Sequence, residues 1–167
     1  LALSATVPAQ GRNVPGVTDT EIRIGQTMPY SGPLSAYGTV GRAEAAYFDM
    51  INAKGGIGGR RIRLISLDDG FSPPKTVEQT RRLVEAEDVL LIFSSLGTPT
   101  NSAFQKYVHS RTIPHLFLST GATKWGDPKN SPWTIGGQPT YQAEGAIYAK
   151  HLLKSKPDAK IAILYQN

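Results

Sequence analysis

Two short stretches of glycine and hydroxyl residues carry the chemistry this sequence offers. Leu96-Gly97-Thr98-Pro99-Thr100 separates a continuous apolar run, Val89-Leu-Leu-Ile-Phe93, from a helical pattern that starts near Asn101. Ser119-Thr120-Gly121-Ala122-Thr123 follows a second apolar run, Ile113 to Leu118. Glycine lets a ligand approach the backbone, and free N–H groups at a helix start attract an anion. Thr98 adds a hydroxyl donor, and the second stretch repeats the same chemistry. Hydroxyls and backbone groups with no cation among them suit a small carboxylate held by hydrogen bonds. A third loop, Pro29-Tyr-Ser-Gly-Pro-Leu-Ser-Ala-Tyr-Gly38, joins the strand at Ile22 and Ile24 to the helix that follows. Each loop alone is also ordinary turn chemistry. Three of them at one edge of one sheet favour binding.

Other candidates for chemistry fall away on spacing. Asp68-Asp69 at a strand end could bind a metal or accept a phosphoryl group, but both roles need a further acid and a lysine at neighbouring strand ends. The neighbouring loops offer hydroxyls and glycines, so the pair reads as a turn that caps the second helix. Gly55-Gly-Ile-Gly-Gly59 follows a helix and precedes a strand, the reverse of the dinucleotide fingerprint, and reads as a tight turn. His109, His115 and His151 match no metal-ligand spacing. No serine sits in a Gly-x-Ser-x-Gly elbow. The sequence thus supports neither an enzyme nor a cofactor, and assigns no catalytic or metal-binding residue.

These loops need strands and helices to place them. Glu21 to Thr27 reads as a strand, followed by a helix to about Asn52 whose buried face is Val40, Ala43, Tyr47, Met50 and Ile51 at helical spacing. Ile62 and Leu64 alternate with Arg61, Arg63 and Ile65 in a second strand ending at Asp68. Ser72-Pro73-Pro74 opens a helix to about Glu87, with serine as its cap. Val89 to Phe93 reads as a strand buried on both faces. A helix from Asn101 to Ser110, a strand from Ile113 to Leu118 and a short strand at Trp133 to Ile135 follow. A helix from Thr140 to Lys154 and a last strand from Lys160 to Tyr165 complete the pattern. Strands alternating with helices of this length predict an α/β fold with a doubly wound, mostly parallel sheet. In such sheets ligands bind outside the carboxyl ends of the strands, where the three loops fall.

At 167 residues the chain can bury a full core, and it has no cysteine. No run approaches the ~18 apolar residues of a membrane span. The net charge of +5 comes from clusters at Arg60-Arg61-Arg63, Arg81-Arg82 and Lys150 to Lys160. These lie at alternate strand positions and on polar helix faces, so they read as solvated surface and predict no nucleic-acid partner. The first eleven residues are small and uncharged and resemble the end of a secretory signal peptide. Residues 1–20 are expected to be that remnant and an arm, and residues 21–167 one lobe.

With these residues in view, the chain resembles the extracytoplasmic solute-binding proteins of branched-chain amino acid ABC transporters, the leucine/isoleucine/valine-binding type. The matches are Ile24-Gly25 through Ser31-Gly-Pro33 and Tyr37-Gly38, then Ile51-Asn-Ala-Lys-Gly-Gly-Ile-Gly-Gly59 and Asp68-Asp69. Pro73 with Val77 to Val84, Ser119 to Thr123 and Ile161-Ala-Ile163 continue them. The resemblance implies a periplasmic lobe of the type I binding-protein fold, with a second lobe closing over a ligand. It implies that Gly97 and Thr98 hold the ligand carboxylate. It implies further that Gly121 and Thr123, with Ala122 between them, hold the α-substituent, and that Tyr37 lines the pocket. The implied partners are an amino acid or related small carboxylate, aromatic acids included, and a membrane permease. Two departures bear on the ligand. Leu96-Gly-Thr-Pro-Thr100 stands where the amino-acid binders have a serine-rich loop, and Thr120 stands where they often have proline. A ligand-sensing domain of a signalling receptor remains an alternative on the same fold, and a doubly wound enzyme a further one.

Overall fold

The computed structural model describes residues 14–164; the leader-like residues 1–11 fall outside them. Five strands form one parallel sheet: β1 (Glu21–Met28), β2 (Arg61–Asp68), β3 (Leu91–Phe93), β4 (His115–Leu118) and β5 (Thr134–Gly136), in the order β2-β1-β3-β4-β5. A single 3-10 turn, Ser35–Tyr37, leads into α1 (Gly38–Ala53), which joins β1 to β2. α2 (Pro73–Glu85) joins β2 to β3, and α3 (Thr98–Ser110) joins β3 to β4. α4 (Tyr141–Ser155) follows β5.

The chain steps outward from β1 to β2, then back past β1 to β3. Right-handed crossovers in opposite directions put α1 on one face of the sheet and α2 and α3 on the other. The main core lies on the second face, where Leu83 of α2, Val89, Ile92 of β3, and Phe104 and Val108 of α3 are buried together. Each such side chain contributes roughly 1.5–3 kcal/mol by leaving water. Ile65 and Leu67 of β2 and Ile113 pack against this cluster. The reversal also separates the loops after β1 and β3, opening a crevice at the carboxyl ends of the strands.

Four expectations need correction. In α1 the residues Val40, Ala43, Tyr47 and Met50 are exposed, while Gly38 and Gly41 are buried and Ala45, Phe48 and Ile51 half-buried. Glycine scores nothing in a hydrophobic pattern, yet here it sets the contact. A Cβ at Gly41 would lie 2.3 Å from the Tyr30 hydroxyl and 3.1 Å from Met28 Cγ. β3 is not buried on both faces. Ile92 is fully buried, but Leu91 and Phe93 are half-buried, because α1 covers β1 and β2 on that side. Phe93 packs edge-on between Phe48 of α1 and Phe117 of β4, with centroids 5.6 and 6.2 Å away.

Ser72 occupies the N-cap position of α2 but makes no capping bond with its side chain. Pro73 and Pro74 at the first two positions remove two of the N–H groups a cap would serve. The last strand is absent over residues 160–164, where Ile161, Ile163 and Leu164 are exposed. A strand is held by ladder partners, and no strand of the sheet pairs with these residues. Tyr165 lies outside the described residues.

The α1 contact gives a direct test. Gly41→Ala should destabilise the full-length protein by about 1–3 kcal/mol through overpacking against Tyr30. Gly145→Ala, where a Cβ meets nothing within 4 Å, should be neutral or stabilising by up to about 1 kcal/mol. Denaturant unfolding of both variants measures the contrast.

Candidate functional site

The crevice is shaped by loops that carboxylates and amides tie together. Asp68, the last residue of β2, accepts hydrogen bonds from the Tyr30 N–H at 2.9 Å, the Ser31 N–H at 3.0 Å and the Ser31 hydroxyl at 2.6 Å. It also accepts from the Gly70 N–H at 3.1 Å and pairs with Lys75 Nζ at 2.8 Å. Partial burial works to raise its pKa, but the bonds from Lys75, Ser31 and Gly70 prevail and hold the carboxyl well below the usual carboxylate range. Asp68 therefore does more than shape its own turn, since it locks the β1–α1 loop to the β2–α2 loop. Asp69 is fully buried; burial pushes its carboxyl up, against the Phe71 N–H and Thr76 hydroxyl bonds it accepts at 2.9 Å each. These bonds hold Phe71 at φ 60°, in the left-handed region, and its ring reaches over the next loop.

That next loop begins α3 three residues earlier than the periodicity predicts, at Thr98. Gly97 has φ 98° and ψ 148°, a conformation open to glycine alone. A Cβ there would lie 2.4 Å from Phe71 Cε2. Asn101 fixes the loop from beneath, its Nδ2 donating to the Ser95 carbonyl at 2.8 Å and the Gly97 carbonyl at 2.6 Å. With its amide nitrogen so used, Asn101 Oδ1 accepts from His115 Nε2 at 2.8 Å. His115 is therefore the Nε2–H tautomer, and its buried Nδ1 has no partner among the described residues. Burial, with His109 nearby, pushes its pKa down to about 3.

The donors at the start of α3 follow from this arrangement. The Gly97 N–H is spent on the Ser119 carbonyl at 3.2 Å. The Thr98 and Thr100 N–H groups have no backbone acceptor among the described residues, and Pro99 between them has no N–H. The Thr98 hydroxyl bonds the Thr120 hydroxyl at 2.5 Å. Thr120, the residue at the proline position of the resemblance, also accepts from the Ala122 N–H at 3.3 Å and Trp125 Nε1 at 3.4 Å. It links the two loops.

Above Thr98 opens a cavity of about 860 Å³. The β1–α1 segment gives it Leu34, Tyr37 and Val40; the β2–α2 loop gives Phe71. Leu96, Gly97, Thr98 and Pro99 form the floor with Ser119, and Gln138, Tyr141 and Glu144 close the far side. Of the residues singled out from the sequence, Tyr37, Gly97 and Thr98 thus line one cavity. Gly121, Ala122 and Thr123 do not line it. Gly121 is buried against Pro139 and the Tyr141 ring, its carbonyl accepting the Tyr141 N–H at 2.8 Å. Ala122 is half-buried, and the exposed Thr123 opens a 3-10 turn with its hydroxyl 3.4 Å from Gln142 Nε2. The sequence reading missed Phe71, Tyr141 and Glu144. Phe71 carried one legible signal, an aromatic residue directly after Asp-Asp-Gly at a strand end. Among the described residues no group of three or more His, Cys, Asp or Glu could hold a metal ion, and no helix is long and apolar enough to cross a membrane.

The sequence profile described as "Periplasmic binding protein" matches residues 21–167. The chain is similar to the Leu/Ile/Val-binding protein BraC3 of Rhizobium johnstonii, 35% identical over 172 aligned residues that cover 97% of this chain and 44% of that protein. Among solved structures it is similar to a possible leucine/isoleucine/valine-binding protein from Rhodopirellula baltica, with a TM-score of 0.74, 26% identity and coverage of 86% of this chain and 37% of that one. It is also similar to a fatty acid ABC transporter substrate-binding protein from Thermomonospora curvata, with a TM-score of 0.74, 26% identity and coverage of 87% and 36%. The chain spans about two fifths of the length of the curated relatives it matches, 39% of one in Brucella abortus.

The buried His115 makes stability depend on pH. Its folded pKa lies below the ~6.5 of an exposed histidine, so the unfolded chain binds a proton the folded one refuses. The neutral ring's contribution is complete above about pH 6.5 and is lost as pH falls from there toward about 3. The slope from this group is at most about 1.4 kcal/mol per pH unit. His115→Gln should flatten the dependence of unfolding free energy on pH between about 6.5 and 4.5, above the carboxylate range. Denaturant titrations of the full-length protein across that interval read the slope.

Proposed function

The chain belongs to the periplasmic binding protein family, and from that premise we propose that it is the N-terminal lobe of an extracytoplasmic receptor that delivers a small solute to an ABC transporter permease. The lobe comprises residues 21–167 and is exported to the periplasm. Its ligand is a branched-chain amino acid or a related small carboxylate, taken up between this lobe and a second one. The observation that carries this reading is the cavity at the sheet's reversal point. There the free N–H group and the hydroxyl of Thr98 meet a wall of apolar side chains. Donors at a helix start suit a carboxylate, and Leu34, Tyr37, Val40, Phe71 and Leu96 suit a hydrocarbon tail. The similarity to leucine/isoleucine/valine-binding proteins supports the amino-acid ligand, and the fatty acid receptor supports the wider carboxylate class.

The receptor is non-catalytic in this reading. The cavity lining offers no cysteine, histidine or lysine, and Ser119 bonds Ser94 rather than a base, 2.9 Å between hydroxyls. Gly97 and Thr98 shape and supply the anion pole, and Tyr37 packs on the ligand. Gly121, Ala122 and Thr123 act beside them through the loop they share with Thr120.

Thermal shift and calorimetry on the full-length protein with amino acids and aliphatic and aromatic carboxylates test this. A ligand at about a hundred times its Kd should stabilise by roughly 2.7 kcal/mol. Thr98→Ala should weaken the best ligand about tenfold, the equivalent of about 1.4 kcal/mol. Unchanged affinity in both Thr98→Ala and Thr123→Ala would remove the site assignment.

A further inference from the structure

The groups around Thr120 fix the direction of the hydrogen bond it shares with Thr98. A hydroxyl has one proton to donate and two lone pairs with which to accept. Thr120 is 1% exposed, and its oxygen accepts from two N–H groups, that of Ala122 at 3.3 Å and Nε1–H of Trp125 at 3.4 Å. Trp125 is equally buried, so water does not compete for its indole N–H. Both lone pairs of Thr120 are thereby occupied, and only its proton remains. Two hydroxyl oxygens flank that proton, Thr98 Oγ1 at 2.5 Å and Tyr141 Oη at 3.5 Å. The first lies at the short end of O–H···O distances and the second beyond them. Thr120 therefore donates and Thr98 accepts. The Thr98 hydroxyl proton then has no acceptor of its own among the described residues. Thr98 lines the cavity, whereas Thr120 and Trp125 do not.

We propose that Thr120 is a positioning residue of the binding site: by donating to Thr98, it leaves the Thr98 hydroxyl poised to donate to the carboxylate of the ligand. The inference rests on the carboxylate-binding reading above and adds the group that sets the donor's direction. Without Thr120 the Thr98 hydroxyl is ambivalent, as ready to donate to a neighbour as to a ligand. With Thr120 that choice is made before a ligand arrives, so binding does not have to reorient the hydroxyl. A hydroxyl that accepts a hydrogen bond is also polarised toward donating one, and the chain from Trp125 through Thr120 to Thr98 runs one way, toward the cavity. A proline at position 120, as the amino-acid binders often have, would offer neither the acceptor nor the proton. The relay is thus tied to this chain's departure from them.

The test is calorimetry on the full-length protein with leucine, 4-methylpentanoate, phenylalanine and 3-phenylpropanoate, following the probe that binds most tightly. Thr98→Val, which removes the hydroxyl and keeps the shape, should weaken that probe about tenfold. Thr120→Val should weaken it about three- to tenfold in the wild-type background and less than about twofold on Thr98→Val, because the two residues act through one hydroxyl. Thr120→Ser, which keeps the proton and both lone pairs, should rescue the affinity. Trp125→Phe leaves Thr120 in place but frees one of its lone pairs, so the bond to Thr98 can reverse. It should cost about threefold, again only where Thr98 keeps its hydroxyl. This variant carries the test if Thr120→Val, which strands two buried N–H groups, fails to fold. Losses that persist undiminished on Thr98→Val, or that are absent in the wild-type background, overturn the proposal. So does a Thr120→Ser variant as weak as Thr120→Val. Either outcome leaves the carboxylate site standing if Thr98→Val weakens binding. Equal binding by wild type and Thr98→Val, or no binding of any of the four probes, fails the carboxylate reading and the proposal with it.

Discussion

The Asn101 carboxamide holds the β3–α3 loop in the shape that floors the cavity at this edge of the sheet. Its nitrogen donates to the carbonyls of Ser95 and Gly97, and its oxygen accepts the hydrogen bond of the His115 Nε2–H. The three groups are buried, so each bond unmade would leave an unsatisfied polar atom, at about 1–3 kcal/mol apiece. The cost of breaking the chain keeps Gly97 at a backbone angle that it alone tolerates. That angle in turn sets the first turn of α3, with Thr98 facing Thr120 and its N–H free. The donor set is thus fixed from beneath by groups that never reach the cavity.

Asp68 plays the corresponding part on the other wall. Three of its five bonds reach the loop after β1 and two its own turn and helix, so the segment leading to Leu34 and Tyr37 is tied to the turn bearing Phe71. Buried Asp69 adds the bond that keeps Phe71 left-handed. Charge-assisted bonds at partly buried carboxylates are stronger than neutral ones. Two adjacent aspartates therefore make the hydrophobic wall of the cavity without touching its interior. This division of labour explains why the cavity can be apolar and still rest on polar chemistry.

Sequence patterning and tertiary structure part company where a contact depends on small or polar residues. The face of α1 was misjudged because Val40, Tyr47 and Met50 stand out by hydrophobicity, whereas Gly38 and Gly41 do not. Close approach to Tyr30 rewards the absence of a side chain, which no scale of hydrophobicity records. His115 looked like a scattered histidine, since its partner Asn101 lies fourteen residues away across a strand–helix junction. Lys160 to Leu164 has the alternation of a strand but no ladder. Alternation states a preference, and only a neighbouring strand can satisfy the backbone groups.

Much was nonetheless legible in the sequence alone. Alternating apolar runs and helical periods determined the parallel α/β class. Glycine and hydroxyl residues after Phe93 and Leu118 marked the edge where the cavity opens, and Gly97 and Thr98 were identifiable among its lining residues, with Tyr37 supplied by the family resemblance alone. These are local signals, written in a few consecutive positions. The tertiary structure decided what is non-local: that Phe71 closes over Gly97, that Asp68 binds a loop 37 residues away, and that Glu144 lines the cavity while Ile147 and Tyr148 are exposed. Such choices follow from which elements the sheet brings together. A parallel sheet whose strand order reverses at β1 brings the loops after its five strands and the start of α4 to one point from separate parts of the chain.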